Sequence, residues 1–128
     1  MSRRRGDHGS AVPEFVLVMV VVLPLFLGIA QLALVLHVRN TLVAAASDGA
    51  RAGAALGSGT GEARARAREV VRTTLADRFA DGVAVRTVER SGLPVVEVVI
   101  TGEVPPLGLW GPAVTVRARG HAVIQEEP

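Results

Sequence analysis

Phe15 through Leu36 is an apolar run of 22 residues without a formal charge, and the hydrophobic pattern changes twice after it. As a helix the run spans about 33 Å at about 1.5 Å per residue, enough to cross a hydrocarbon core of about 30 Å. From His37 to Leu56, the positions Val38, Leu42, Ala45, Ala46, Gly49, Ala52 and Leu56 recur at spacings of three and four. That spacing predicts that the helix continues beyond the apolar run, with one narrow stripe of small residues suited to close packing. Gly57-Ser-Gly-Thr-Gly61 breaks the pattern. A second helix is predicted over 62–80, opened at Thr60 or Gly61, with Ala63, Ala67, Val70, Val71, Leu75 and Phe79 on its apolar face. Its Arg64, Arg66, Arg68 and Arg72 alternate with alanine and have Glu69 and Asp77 nearby, the pattern of a solvated helix face.

After Asp81-Gly82 the period falls from about 3.6 to about 2. Val83, Val85 and Thr87 alternate with Arg86 and Val88, Arg90-Ser-Gly-Leu-Pro94 reads as a turn, and Val95 to Thr101 is a β-rich strand. A longer connection over 105–112 leads to a third strand over 113–124, with Val114, Val116 and Ala118 on one face and Thr115, Arg117 and Arg119 on the other. Leu107, Leu109 and Trp110 form an apolar tip on that connection, placed either in a membrane interface, where Trp is favoured, or over the small core. The pattern therefore predicts an α+β chain. A long N-terminal transmembrane helix (10–36) extends through 37–56 into a small domain (37–128) holding the second helix and a three-stranded antiparallel sheet over 83–124.

Three readings compete for the apolar run. A buried helix of a soluble protein is disfavoured, because so short a chain has too little surface to cover it. A secretory signal cleaved after Ala46, at Ala44-Ala45-Ala46, would need a longer apolar region than the usual 7–15 residues. A retained, single-pass membrane helix remains. Arg3, Arg4 and Arg5 precede the run, whereas Arg39 is the sole basic residue in the dozen positions after it. This bias puts a basic leader, residues 1–9, in the cytoplasm and the C-terminal domain outside.

Within this frame Glu14 stands out. A carboxylate moved toward a bilayer centre costs about 2.5–3.5 kcal/mol, so a glutamate heading a membrane helix calls for a partner. Pro24 removes the backbone bond to Val20 and predicts a kink, with Gly28 one turn further on. Gln31 is polar at membrane depth, placed either to bond a neighbouring helix or to lie near the outer headgroups.

Composition narrows the partners. All 14 basic residues are arginine, yet the net charge is only +2, and from His37 onward 11 Arg face 10 Asp or Glu. No broad basic field exists to hold phosphates, so nucleic acid is not an expected partner. There is no cysteine, and His8, His37 and His121 lie in three separate segments without ligand spacing. No GxSxG or P-loop motif is present, and no enzymatic activity, metal or cofactor is expected.

The motif Gly9-Ser-Ala-Val-Pro-Glu14-Phe15, Leu23-Pro24, Gly28, Val38-Arg39-Asn40, Ala44-Ala45-Ala46 and Asp48-Gly49-Ala50-Arg51-Ala52 resemble the TadE-like pseudopilins of tight-adherence (Flp-type IVb) pilus systems, over roughly residues 3 to 55. Pro13 and Gln31 depart from the family's usual pattern. The resemblance implies a single-pass protein of the bacterial inner membrane that is incorporated into, or supports, a pilus. It implies cleavage by a prepilin peptidase after Gly9, with Ser10 as the new N-terminus and Glu14 and Phe15 at the fifth and sixth mature positions. It further implies partners among other pilins and pseudopilins and the pilus assembly platform. A Ser10 amine would lie one helical turn from Glu14 and could pair with it, or with the Glu14 of a neighbouring subunit. Two alternatives stay open on the residues: an unprocessed, bitopic accessory subunit of a secretion complex, and a secreted binding domain released after Ala46.

Overall fold

One helix, α1 (Arg3–Ala54), runs through both the apolar run and the stripe of small residues, a length of about 78 Å for its 52 residues. The computed structural model describes residues 3–55, 58–107, 111 and 113–125, and side chains from Ala11 onward. Leu56, Leu109 and Trp110 lie outside the described residues. Ala11 through Ile29 is exposed on every side. No protein surface accounts for so much bare hydrocarbon, and α1 is a candidate membrane span by length and composition. From Ala30 on, one side of the same helix is covered: Gln31, Leu34 and Val35 are half-buried, and Val38, Leu42, Ala45, Ala46, Ala50 and Ala54 are buried.

The rest of the chain folds against that C-terminal half of α1. α2 (Thr60–Thr74) is followed by a 3-10 helix (Asp77–Gly82) and three strands, β1 (Val83–Arg90), β2 (Leu93–Val104) and β3 (Val114–Val123). The strands form an antiparallel meander in the order β1-β2-β3. The α+β class, the long apolar helix, the second helix and the three-stranded sheet are as the pattern predicts. The β1–β2 turn is tight: Arg90 pairs with Leu93, and the two residues between, Ser91 and Gly92, both have positive φ, as a right-twisted hairpin demands.

The second helix differs from its predicted span of 62–80. It ends at Thr74, where Leu75 turns extended while still donating its N–H to the Val71 carbonyl. Phe79, the last residue of the predicted apolar face, is buried from the 3-10 helix instead, against Gly102 of β2. The 3-10 helix turns the chain from α2 into β1 without losing the burial of that ring. Ala63, Ala67 and Val71 are buried as expected, and Arg64, Arg66 and Arg72 are exposed.

The small stripe on α1 serves two neighbours at once. A Cβ built on Gly49 would lie 2.8 Å from the Ala67 Cβ, and one on Gly53 would lie 2.5 Å from the Ala63 Cβ, so this side of α1 abuts α2. The side bearing Ala46 abuts β3 at Gly120, backbone against backbone. Ala52, expected in the stripe, is only half-buried; Ala50 and Ala54 take the core positions. The end of α1 is also tied to the strand region, since the Gln125 N–H donates to the Ala54 carbonyl at 3.0 Å. The C-terminal half of α1 is thus the central core element of the domain. Release of a domain by cleavage after Ala46 would strip Val38, Leu42, Ala45 and Ala46 from the sheet.

Candidate functional site

The candidate processing and assembly residues lie along the first turns of α1. Gly9 and Ser10 are helical, and Pro13 sits inside the same helix. In an α-helix the N–H of residue 13 would bond the carbonyl of residue 9. Pro13 has no N–H, so the Gly9 carbonyl lacks its helical donor. The Gly9–Ser10 peptide bond is therefore less firmly held in the helix than its neighbours.

Glu14 and Phe15 are exposed, at the head of the bare segment. Among the described residues no salt bridge reaches Glu14. Phe15 and Pro24 line one shallow apolar concavity on the helix surface together with Val16, Met19, Val20 and Leu23. Nothing lies within 4 Å of a Cβ built on Gly28, so no neighbour in its own chain requires a glycine there. Gln31 is the exception among these residues because it has partners within the chain. Its Nε2 donates to the Pro105 carbonyl at 3.3 Å, and its Oε1 accepts from the Leu107 N–H at 2.9 Å. The side chain thus bonds the β2–β3 connection of its own chain.

A second polar site was missed by sequence reasoning. Glu97, on the central strand and on the sheet face turned away from the helices, is only 1% exposed. Register places Arg86 of β1 and His121 of β3 on either side of it. Arg86 donates to Glu97 through Nε at 2.7 Å and also through its terminal nitrogen, and Arg90 reaches the other oxygen at 3.3 Å. The Arg86 hydrogen bonds hold the Glu97 carboxyl below its ordinary value, reinforced by the charges of Arg86, Arg90 and Arg119 and opposed by burial. Val95-Val96-Glu97-Val98-Val99-Ile100 is the usable signal: near-continuous burial marks a central strand, so its one carboxylate had to find cations on a neighbouring strand. Elsewhere Asp48 on α1 accepts from Arg66 on α2 at 2.9 Å, an exposed pair that adds little stability.

None of these groups forms a catalytic constellation. Glu97 is committed to two guanidinium groups, and among the described residues no three His, Asp or Glu side chains converge as metal ligands would. What the molecule offers is a bare apolar helix, with one carboxylate at its head, continuous with a folded domain.

The family model described as TadE-like protein matches residues 9–51. No curated protein and no solved structure matches the chain. The matched segment starts at Gly9 and ends within the part of α1 that is buried under the domain, and it covers the bare segment between. From Gly9 to Arg51, about a third of its length, the chain is similar to TadE-like proteins.

Proposed function

We propose that the chain is a TadE-like pseudopilin, a non-enzymatic membrane subunit that acts by assembling with other pilins. The carrying observation is the TadE-like match, which opens at Gly9 of Gly9-Ser-Ala-Val-Pro-Glu14-Phe15 and runs along the bare apolar helix into the domain core. In this reading residues 3–5 stay in the cytoplasm, α1 crosses the inner membrane once, and the α+β unit lies outside. A prepilin peptidase cuts between Gly9 and Ser10, at the bond whose carbonyl Pro13 leaves free. Cleavage creates an α-amine on Ser10, one turn below Glu14.

That amine supplies a partner for Glu14, which no salt bridge reaches among the described residues. Within one subunit the two charges are i, i+4 neighbours. In a bundle of subunits the Glu14 carboxylate meets the amine of the next chain, and a charge pair in an apolar surround fixes register more reliably than it adds stability. Phe15 and Pro24 offer an apolar concavity, and Gly28 a spot without a side chain, to helices of neighbouring subunits. The pilus assembly platform is the partner that gathers such helices from the membrane.

Glu14→Ala tests the reading. The variant should insert at least as well as the parent, because a charge leaves the membrane edge, and it should still be cut. Removing one member of a desolvated charge pair costs about 2 kcal/mol or more, so recovery of partner pilins with the tagged variant should fall about 30-fold. Unchanged co-purification would show that the carboxylate has no part in assembly.

A further inference from the structure

We propose that the start of the β2–β3 connection, Pro105 to Leu107, is a lipid-contacting foot of the domain, clasped to the span by Gln31 and seated in the membrane interface on the domain's side. The inference rests on the membrane-anchored reading of α1 and adds a second point of contact with the bilayer, some 75 residues further along the chain.

With Glu14 held at one edge of the hydrocarbon, about 20 residues of helix are needed to cross it, which places the opposite boundary near residue 34. Gln31 lies about one turn inside that boundary, about 5 Å deep. Its hydrogen bonds to Pro105 and Leu107 hold the connection at the same level. The domain therefore does not begin where the apolar run ends: its lowest loop overlaps the last turn of the span.

Each unpaired backbone group is costly to a loop entering a low-polarity layer. Pro105 and Pro106 have no N–H, so Leu107 carries the only backbone donor of the three residues, and Gln31 Oε1 accepts it. The other half of the same amide pairs the Pro105 carbonyl. One primary amide, a donor and an acceptor side by side, thus pairs the only N–H and one of the three carbonyls of the stretch. The side chains fit the setting too. Leu107 is 48% exposed, and Leu32 and Leu36, flanking this level of α1, are likewise exposed. Leucines left open beside the span are continuous with its apolar surface, and lipid is the occupant that covers both.

Because the chain has no cysteine, single labelling sites can be introduced into the full-length protein. Leu107→Cys, Met19→Cys and Ser91→Cys would each carry a bimane fluorophore, in phosphatidylcholine–phosphatidylglycerol vesicles at high lipid-to-protein ratio. Lipids bearing a nitroxide near the headgroup or deep in the acyl chain then report depth. The label at 107 should be quenched most by the shallow nitroxide, the label at 19 by the deep one, and the label at 91, on the far hairpin, by neither. Adding Gln31→Leu, which keeps bulk and favours insertion, should reduce quenching at 107 about threefold or more and leave 19 and 91 unchanged. If 107 behaves like 91 while 19 is quenched, the foot is overturned and the anchor stands. If 19 is not quenched, the anchor fails and the foot with it. Strong quenching at 107 that survives Gln31→Leu overturns the clasp.

Discussion

Gly120→Ala is expected to destabilise the whole α+β unit strongly. A Cβ at this position would lie 2.3 Å from both the Ala46 carbonyl carbon and the Ser47 nitrogen, and 2.6 Å from the Ala46 oxygen. All three atoms are backbone, so no rotamer change relieves the clash. To restore contacts of 3.4 Å, α1 and β3 must part by about 1 Å, opening a seam of close-packed atoms along Leu42, Ala46 and Ala50. Overpacking of this kind costs about 3 kcal/mol, a large share of the stability of a small domain. Hydrogen exchange of the Val96 to Ile100 amides in the detergent-solubilised chain should accelerate about 100-fold. Gly61→Ala, with nothing within 4 Å of the new methyl group, should leave exchange unchanged or slow it, since alanine favours the helix. Equal exchange in the two variants would mean that helix and sheet do not meet at Gly120.

Arg86→Ala should cost more than removing the carboxylate that Arg86 serves. Without Arg86, a charge that is 1% exposed keeps only Arg90, at 3.3 Å, as a direct partner. Breaking a buried pair from one side costs about 3 kcal/mol at neutral pH, somewhat less where the remaining cation is more than half exposed. Glu97→Met keeps the volume and removes the charge, while Arg86 and Arg90, both more than half exposed, stay hydrated, so the cost should be under about 1 kcal/mol. The pH dependence has a definite sign. Glu97 titrates below its ordinary value of 4.5 in the folded chain, so the folded state binds fewer protons than the unfolded state. The ion pair's contribution is complete above about pH 4.5 and is lost as pH falls through the folded value. The gap between the parent and Arg86→Ala should therefore narrow below pH 4.5, and Glu97→Met should lose the parent's acid-sensitive component. A gap independent of pH, read from urea unfolding between pH 3 and 7, would assign the cost of Arg86→Ala to packing alone.

Much of this architecture is legible in the sequence because single-segment periodicities carry it. Twenty-two uncharged residues followed by a small-residue stripe describe one helix with two environments, and the alternation from Val83 onward describes a meander with the observed faces. The end of α2 was not legible: the apolar spacing runs on through Leu75 to Phe79 with no glycine or proline to stop it, so a 3-10 turn that buries the same ring looks identical in pattern. Glu97 stands out as the one carboxylate of its apolar run, but its pairing with Arg86 depends on a cross-strand register that the run itself does not fix. The Gln31 clasp was out of reach for a plainer reason. Its partners are backbone atoms 74 and 76 residues away, and a backbone hydrogen bond leaves no residue-type signature. For the candidate assembly site, Gly9, Ser10, Glu14 and Phe15 are recognisable as a local motif, but the partner proposed for Glu14, an amine made by cleavage, is not a group that one unprocessed chain contains.

The central claim, that this chain is a processed pseudopilin, is tested most directly by the intact mass of the protein extracted from membranes of cells with an active prepilin peptidase. The account predicts a mass lacking residues 1–9, with Ser10 as the N-terminus. Retention of those nine residues would contradict it in favour of an unprocessed membrane subunit, and loss through Ala46 would contradict both the membrane anchor and the helix at the centre of the domain core.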